Sequence, residues 1–219
     1  TRYKLDDYTP YIYKTEDYGK TWKRITTGIP DMHFARCLRE DRKRPGLLYC
    51  GTEYGMYISY DDGANWKKFQ LNLPIVPITD MTIKNNDLVV ATQGRAFWVL
   101  ADLTMVQQKD NNILDKKLHV FPTIENFRME GSSNEKTVNA GMNPPNGTII
   151  NYWLKDAADS SNVSITVFDK NNKGLKTFSK DAKDEGDKLK FEKGMNRFVW
   201  DMQYAPTEKA DGFVMWNGS

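Results

Sequence analysis

Cysteine and histidine are scarce in this chain of 219 residues, which contains two of each. Cys37 and Cys50 do not combine with histidines in the spacing of a zinc site. His33 and His119 are too far apart in sequence to suggest a pair. Glycine-rich phosphate-binding loops are also absent. The sequence therefore predicts no metal site and no cofactor.

Long apolar runs are lacking as well, since none approaches the roughly 18–20 residues that a membrane-spanning helix needs. The 31 basic and 29 acidic residues are well mixed and form no basic stripe with interleaved aromatics, which a nucleic-acid surface requires. The amino end has neither an initiator methionine nor an apolar leader, so we expect the chain to be a piece of a longer protein. These absences predict no membrane span and no nucleic-acid partner.

A repeated motif is the most informative feature that the sequence does contain. The stretch TEDYGKTW, residues 15–22, returns 44 positions later as SYDDGANW, residues 59–66, and both read (S/T)-x-D-x-G-x-(T/N)-W. The similarity at this offset covers residues 13–30 and 57–74, and a degenerate third copy follows at offset 40 over residues 88–99. Self-similarity with a period of roughly 40–45 residues indicates a repeat architecture.

Short predicted strands fill each repeat. The middle repeat reads as four β-segments separated by the turn sequences DRKRPG, TEYG and DDGA, with two strands before it and three after it. The predicted strands are Tyr11–Lys14, Thr21–Ile25, Ala35–Glu40, Leu47–Gly51, Met56–Tyr60, Asn65–Phe69, Ile78–Lys84, Leu88–Thr92 and Ala96–Leu100.

Four short antiparallel strands per repeat are typical of one blade of a β-propeller. We therefore predict an all-β chain in which residues 1–104 form a partial β-propeller of about two to three blades. Because a propeller closes with roughly four to eight blades, this part is expected to need the remainder of a parent propeller as a partner. Open blade edges of this kind also favour self-association.

The sequence changes character after the third repeat. Residues 105–118 read as a polar linker, and residues 130–148, rich in Gly, Ser, Asn and Pro, read as a long surface loop. We predict a β-sandwich of the immunoglobulin or fibronectin type III kind over residues 119–219, truncated at its carboxyl end, because such domains need about seven strands. Its predicted strands are Ile149–Leu154, Val163–Asp169, Leu175–Ser179, Lys188–Phe191 and Arg197–Tyr204.

The two cysteines lie on one predicted hairpin, residues 35–52. If this hairpin is symmetric about residues 43 and 44, Cys37 lies directly opposite Cys50, with Cβ atoms roughly 4.5–5.5 Å apart. That separation is close to, but slightly beyond, disulfide range. Two interpretations stay open: a cross-strand disulfide formed in an oxidising compartment, or two small buried hydrophobic side chains.

Each residue type in the repeated motif has a role in a tight hairpin loop. The Asp61 carboxylate and the Ser59 hydroxyl can accept hydrogen bonds from backbone N–H groups, and Gly63 supplies a positive φ at low cost. Trp66 suits burial with its single N–H satisfied. The motif is therefore interpreted as a structural device rather than a catalytic site. The same four roles fall, in the first copy, to Thr15, Asp17, Gly19 and Trp22.

This motif resembles the Asp box of BNR repeats, which occur in sialidases, xyloglucan-hydrolysing propeller enzymes and sortilin-type receptors. The segments GTEYGMYISYDDGANW, ATQGRAFWVLADL, NPPNGTIINYWL and GMNRFVWDM, in this order, are similar to large bacterial BNR-repeat or sortilin-like glycosyl hydrolases. The resemblance covers nearly the whole chain and implies the carboxy-terminal portion of a secreted protein, located outside the cell, in the periplasm or at the cell surface. One departure is Gln93, where the family pattern leads us to expect His.

Candidate ligand contacts come from loops rather than from the motif. In the family, Asp boxes lie at the blade periphery, so the resemblance implies no catalytic role for Asp17 or Asp61. Arg95 lies between the second and third strands of its predicted blade, and Glu53 occupies the equivalent loop one blade earlier. Such loops commonly line a ligand face, although a salt bridge or a hydrogen bond to the next blade is the alternative. No pair of carboxylates is singled out for glycosidase chemistry, so no catalytic residue is predicted.

Three functions are consistent with the sequence. The resemblance implies a glycosyl hydrolase of the sialidase or xyloglucanase kind whose catalytic centre lies largely outside this chain. The first alternative is a non-enzymatic, sortilin-like propeller that binds a peptide, a protein or a glycan. The second is a structural role, in which the sandwich domain docks the propeller to a cell-surface assembly. Carbohydrate and peptide are the ligand classes expected.

Overall fold

Short runs of β-branched and aromatic residues between turn sequences give this chain an all-β fold. The computed structural model describes residues 2–109, 111–126, 145–156, 163–183, 187–189 and 191–204. The chain divides into two units, Thr1–Lys109 and Asp110–Ser219. Within the described ranges no helix has the length and apolar character that crossing a membrane requires. The helical segments are a 3-10 turn at Tyr3–Leu5, α1 at Thr104–Gln107 and a 3-10 turn at Asn111–Asp115.

Three antiparallel sheets follow one another in the first unit, and each joins strands that are consecutive in sequence. Their strand numbers of two, four and three are those that the sequence predicts. The first sheet pairs β1 (Tyr13–Lys14) with β2 (Lys23–Arg24). The second contains β3 (Ala35–Glu40), β4 (Leu48–Thr52), β5 (Gly55–Ser59) and β6 (Lys67–Lys68). The third contains β7 (Ile78–Lys84), β8 (Asp87–Thr92) and β9 (Phe97–Leu100).

The outermost strands, β2 and β6, are shorter than predicted. Thr21 and Asn65 lie outside them because their backbone N–H groups donate to Asp17 and Asp61, each over 2.8 Å, instead of to a neighbouring strand. The loop motif thus uses donors that a longer strand would need for its ladder.

The middle sheet is buried on both faces, which explains why all five residues of β4 are buried. One face packs against the first repeat and the other against the third sheet. We call the two sets of residues the first and second inter-repeat clusters. The first cluster contains Ile12, Ile25, Ile29, Ala35, Leu48, Cys50, Tyr57 and Trp66. The second contains Leu47, Tyr49, Met56, Ile58, Ile78, Met81, Ile83, Leu88, Val90 and Leu103.

The predicted pairing of the two cysteines is wrong. Asp41 N donates to Leu47 O over 2.8 Å, which closes a loop over residues 42–46 and centres the hairpin on residue 44. Cys37 therefore pairs with Gly51, while Cys50 lies one position along the ladder. Because adjacent positions point to opposite faces of a sheet, Cys50 lies in the first inter-repeat cluster and Cys37 packs against the second. Both thiols are free, and burial raises the pKa of Cys37 to about 11.

The described residues of the second unit form two further antiparallel sheets. The first has the order β10–β11–β14 and the second pairs β12 with β13. Their bounds are β10 Leu118–Val120, β11 Thr148–Leu154, β12 Ser164–Phe168, β13 Gly174–Ser179 and β14 Gly194–Trp200. β10 thus begins at the end of the predicted linker.

Two predicted strands of this unit differ from the structure. The described residues of the predicted strand Lys188–Phe191 form only one bridge, a parallel one from Lys188 to Ser179. The pairing does not extend because Ser179 is the last residue of β13. The last predicted strand ends at Trp200 rather than Tyr204, because Met202 has a φ of 58° and leaves the extended conformation. The predicted loop at residues 130–148 and the predicted carboxyl-terminal truncation fall mostly or wholly outside the described residues.

Candidate functional site

The second Asp-box loop is held by its own side chains. Ser59 Oγ accepts from Gly63 N over 2.9 Å and donates to Asp61 Oδ1 over 2.7 Å. The Asp61 carboxylate accepts from the backbone and the side-chain amide of Asn65, both over 2.8 Å. Asp62 and Gly63 have φ values of 58° and 84°, which turn the chain. Burial acts to raise the pKa of Asp61, but the hydrogen bonds from Asn65 and Ser59 outweigh it and lower that pKa.

Trp66 joins this loop to the preceding repeat. Its side chain is 4% exposed, and its Nε1 donates to Ile25 O over 2.8 Å. Its backbone N–H donates to Thr27 O over 2.8 Å as well. Gly63 contributes to the same junction, because a Cβ at this position would lie 2.4 Å from Ile25 Cδ1. The second box is thus both a hairpin loop and the contact between two repeats.

The first Asp-box loop has the same internal bonds in a different setting. Thr15 Oγ1 accepts from Gly19 N over 2.8 Å, and Asp17 accepts from Thr21 N over 2.8 Å and from Thr21 Oγ1 over 2.6 Å. The hydrogen bonds from Thr21 lower the pKa of Asp17 to about 2. Trp22 is 60% exposed, and its Nε1 donates to Gly19 O over 3.1 Å. Both Asp-box carboxylates are therefore committed to their own loops.

Glu53 lies in the turn between β4 and β5 and is paired within its own sheet. Its Oε2 accepts from Arg36 Nε over 2.6 Å, and both side chains are about one quarter exposed, at 25% and 24%. Arg36 is on β3, so the partner of Glu53 does not belong to the next sheet. The Arg36 guanidinium carbon lies 5.2 Å from the Phe34 ring centre and 5.9 Å from that of Tyr3. The ion pair is thus bordered by aromatic rings.

A histidine extends this aromatic border. His33 Nδ1 and the Tyr57 hydroxyl are hydrogen-bonded over 2.8 Å, and the His33 ring lies 4.8 Å from the Tyr54 ring. Burial and the nearby Lys68 charge lower the pKa of His33, which favours the neutral imidazole. Tyr54 is 45% exposed and follows Glu53 in the turn between β4 and β5. We call Glu53, Arg36, His33, Phe34 and Tyr54 the aromatic–arginine cluster.

Arg95 lies in the turn between β8 and β9 and is exposed. Its Nη1 donates to Gly94 O of the same turn over 3.3 Å. Within the described part of the chain, no hydrogen bond or ion pair joins it to Glu53 or to another carboxylate. The structure therefore places the two predicted ligand contacts in corresponding turns but does not bring them together.

The turn that carries Arg95 is one residue longer than the turn that carries Glu53. Thr52 pairs with Gly55 in the second sheet, whereas Thr92 N donates to Ala96 O in the third. The constant offset of 40 thus fails after this turn, where Trp98 takes the place of Tyr57.

Several residues around the Glu53 and Arg95 turns could not be identified as contact residues from the sequence. Arg36 is an unmarked strand residue, and it meets Glu53 only because β3 pairs with β4. Asp41, which is 4% exposed, accepts from Gln107 Nε2 over 3.1 and 3.0 Å, and Gln107 also donates to Asn86 Oδ1 over 2.8 Å. This network fixes α1 against the ends of the second and third sheets, across 66 positions of sequence.

An unusual polar pair lies on β10 and β11 in the described part of the second unit. His119 on β10 lies directly opposite Trp153 on β11. His119 Nε2 and Trp153 Nε1 are buried without a hydrogen-bond partner among the described residues. In the same described ranges, no group of three or more His, Cys, Asp or Glu residues is arranged to hold a metal ion.

Comparison with known proteins does not assign these sites. The resemblance to BNR-repeat proteins rests on the sequence motifs alone. No protein-family model matches this chain, and no curated protein matches it either.

Proposed function

We propose that this chain is part of a BNR-repeat β-propeller protein and that its propeller part binds a glycan. The finer architecture proposed is a partial β-propeller followed by an immunoglobulin- or fibronectin type III-like β-sandwich. Consecutive antiparallel strands, a 44-residue repeat and an Asp-box loop between the third and fourth strands of the second sheet support the propeller. The two small antiparallel sheets of the second unit are compatible with the sandwich.

The aromatic–arginine cluster is the observation that carries the binding function. A sugar ring presents an apolar face and several hydroxyls, so it suits an exposed aromatic ring beside charged planar groups. Tyr54 offers such a ring, and the preceding residue of the same turn, Glu53, is paired with Arg36 and offers a carboxylate acceptor beside guanidinium donors. Because the ion pair and the His33–Tyr57 bond hold these groups in place, little ordering is needed on binding.

Binding is tested by titrating glycans into the chain, first on a glycan array and then by calorimetry on the best ligand. We expect Tyr54→Ala to weaken binding about tenfold or more, since central aromatic contacts dominate such sites. We expect Glu53→Gln, which breaks the ion pair with Arg36, to weaken it by a smaller factor. Phe97→Ala, at a 75% exposed ring on β9, is the matched control and leaves binding unchanged. Retention of full affinity by Tyr54→Ala would refute the site.

Hydrolysis by the parent protein is a separate proposal that follows from the resemblance, with the catalytic centre placed largely outside this chain. Glu53 Oε2 is already engaged by Arg36, which suits a fixed acceptor better than a mobile proton donor. We expect residues 1–219 alone to release no sugar from a panel of glycosides. Turnover by this chain would contradict that placement. A location outside the cell, in the periplasm or at the cell surface is proposed on the same resemblance.

A further inference from the structure

His33 connects the β4–β5 turn to the interior of the second sheet. Its Nδ1 and the Tyr57 hydroxyl are hydrogen-bonded over 2.8 Å, and its ring centre lies 4.8 Å from that of Tyr54. Among the described residues no other ring contacts Tyr54. The imidazole therefore supports the side chain that carries the proposed glycan contact.

The hydrogen bond between His33 and Tyr57 has a defined direction. Tyr57 is 4% exposed, and burial raises the pKa of its hydroxyl, which therefore keeps its proton. Because this hydroxyl has no second hydrogen-bond partner in the described part of the chain, it donates to His33 Nδ1. Nδ1 is thus the acceptor, and the proton of the neutral ring is on Nε2.

The groups that face His33 disfavour a second proton on its ring. They are the Tyr57 hydroxyl on β5, the Tyr54 ring in the β4–β5 turn and the Lys68 ammonium group on β6. Within the described ranges no carboxylate forms an ion pair with the imidazole, and Glu53 is already paired with the arginine of the cluster. Burial, together with the Lys68 charge, lowers the pKa of His33. Protonation of Nδ1 would also deprive the buried Tyr57 O–H of its acceptor.

We propose that His33 is a proton-sensitive positioning residue of the glycan site: the neutral imidazole holds Tyr54 in place, and a proton taken from solvent at Nδ1 releases it, so that glycan binding weakens at acidic pH. This inference rests on the glycan binding proposed above. The bond from Glu53 N to Phe34 O over 3.2 Å and the ion pair of Glu53 do not involve the imidazole. Protonation therefore frees one side chain and leaves the turn closed.

The pH range of the effect follows from the lowered pKa of His33. An unperturbed imidazole titrates near pH 6.5, and in the folded chain the pKa of His33 lies below that value. The site is therefore complete above pH 6.5, and the fraction of chains with a neutral His33 decreases as the pH falls through the folded-state pKa. Because the apparent affinity is proportional to that fraction, it decreases by up to about tenfold per pH unit below this pKa.

The first test measures the affinity of the full 219-residue chain for the best glycan of the array, by calorimetry from about pH 8 to about pH 5. We expect a constant affinity at the upper end and a loss of about tenfold at the lower end. His33→Asn keeps an acceptor but does not titrate, so its weaker binding should not change with pH. His119→Asn, at the other histidine, is the matched control and retains the pH dependence. An affinity of the unmodified chain that is the same at both ends would overturn the proposal.

A charge variant tests whether His33 is the titrating group. Lys68→Gln removes the positive charge that lowers the pKa of His33, so the midpoint of the affinity loss should move to higher pH. Lys67→Gln is the matched control, because Lys67 is the neighbouring residue of β6, pairs with Ile58 and points to the opposite face. Both lysines are exposed, so we expect both variants to fold. A midpoint that Lys68→Gln leaves unchanged would overturn the role of His33.

A second measurement requires no ligand. The chain has two histidines, so comparison with His119→Asn assigns both imidazole signals in an NMR titration. We expect His33 to titrate below pH 6.5 and the nuclear Overhauser effect between its ring and that of Tyr54 to disappear over the same range. Persistence of that effect after His33 is protonated would overturn the release of Tyr54. Absence of glycan binding at every pH would instead refute the glycan function, so the two failures are distinguishable.

Discussion

The two Asp-box loops contain the same hydrogen bonds and differ in what lies against them. In both, a hydroxyl accepts from a glycine N–H and a carboxylate accepts from the residue four positions later. Trp66 is buried against Ile25, whereas Trp22 is 60% exposed and bonds to its own loop. The comparison separates a local function of the motif, which is to close a hairpin, from a non-local one, which is to join repeats. The predictions below test that separation.

Replacement of the tryptophans is expected to give the largest difference. Trp66→Ala removes a buried aromatic ring and leaves a cavity, so it should lower the free energy of unfolding by about 3–5 kcal/mol. Trp22→Ala should cost less than about 1 kcal/mol because its ring is mostly in solvent. Urea unfolding followed by far-UV circular dichroism measures both. Equal losses would show that both tryptophans act only within their own loops.

The two box glycines should differ by a smaller amount. Both have a positive φ, 90° at Gly19 and 84° at Gly63, so alanine at either position is strained by roughly 1–2 kcal/mol. Only Gly63→Ala also forces a methyl group against Ile25, which adds about 1–3 kcal/mol of overpacking. Thermal and urea unfolding of the two variants provide the comparison. A cost for Gly19→Ala that matches that of Gly63→Ala would contradict the role of Ile25.

Removal of the loop hydroxyls of Ser59 and Thr15 is expected to give the next largest difference in stability. Ser59→Ala leaves the buried Gly63 N–H without its acceptor, at a cost of about 1–3 kcal/mol. Thr15→Ala exposes the equivalent Gly19 N–H to water, which replaces the lost bond, so we expect about 0.5–1 kcal/mol. The substitutions Ser59→Thr and Thr15→Ser keep a hydroxyl and serve as controls. The prediction fails if Thr15→Ala is the more damaging of the two.

The smallest effect is expected from acid titration of the first Asp-box loop. The pKa of Asp17 is lowered from 3.8 to about 2 by the hydrogen bonds of Thr21, so its contribution to stability is complete above pH 3.8 and is lost as the pH falls toward 2. Asp17→Asn should flatten the pH dependence of unfolding in that window. NMR titration of the Asp17 carboxyl carbon measures the pKa directly. A titration midpoint at or above 3.8 would contradict the loop geometry.

Local chemistry could be predicted from the sequence, because it depends on residues a few positions apart. The hydroxyl, carboxylate and glycine of each box lie within five consecutive residues, so their residue types are enough to suggest the loop bonds. The strands β3 and β7 were predictable to the residue for a similar reason, since apolar patterning and turn residues mark both ends.

Contacts between distant residues could not be predicted in this way. The partner of Glu53 is decided by the register of β3 on β4, and that register depends on the bond from Asp41 N to Leu47 O. Trp22 is exposed because no described residue of another repeat packs against its ring. The residues of the motif do not encode whether such a neighbour is present. The position of α1 depends on the hydrogen bond that Gln107 donates to Asp41, across 66 positions of sequence.

The centring of the β3–β4 hairpin has a consequence for oxidation. Cys37 and Cys50 face opposite sides of one sheet, so an S–S bond between them would require a one-residue register slip, which would turn every side chain of a strand to the wrong face. The strand register therefore prevents oxidation of the two thiols to a disulfide within the folded hairpin. We therefore expect the unfolding midpoint of the first unit, measured by urea titration, to be the same with and without a thiol reductant.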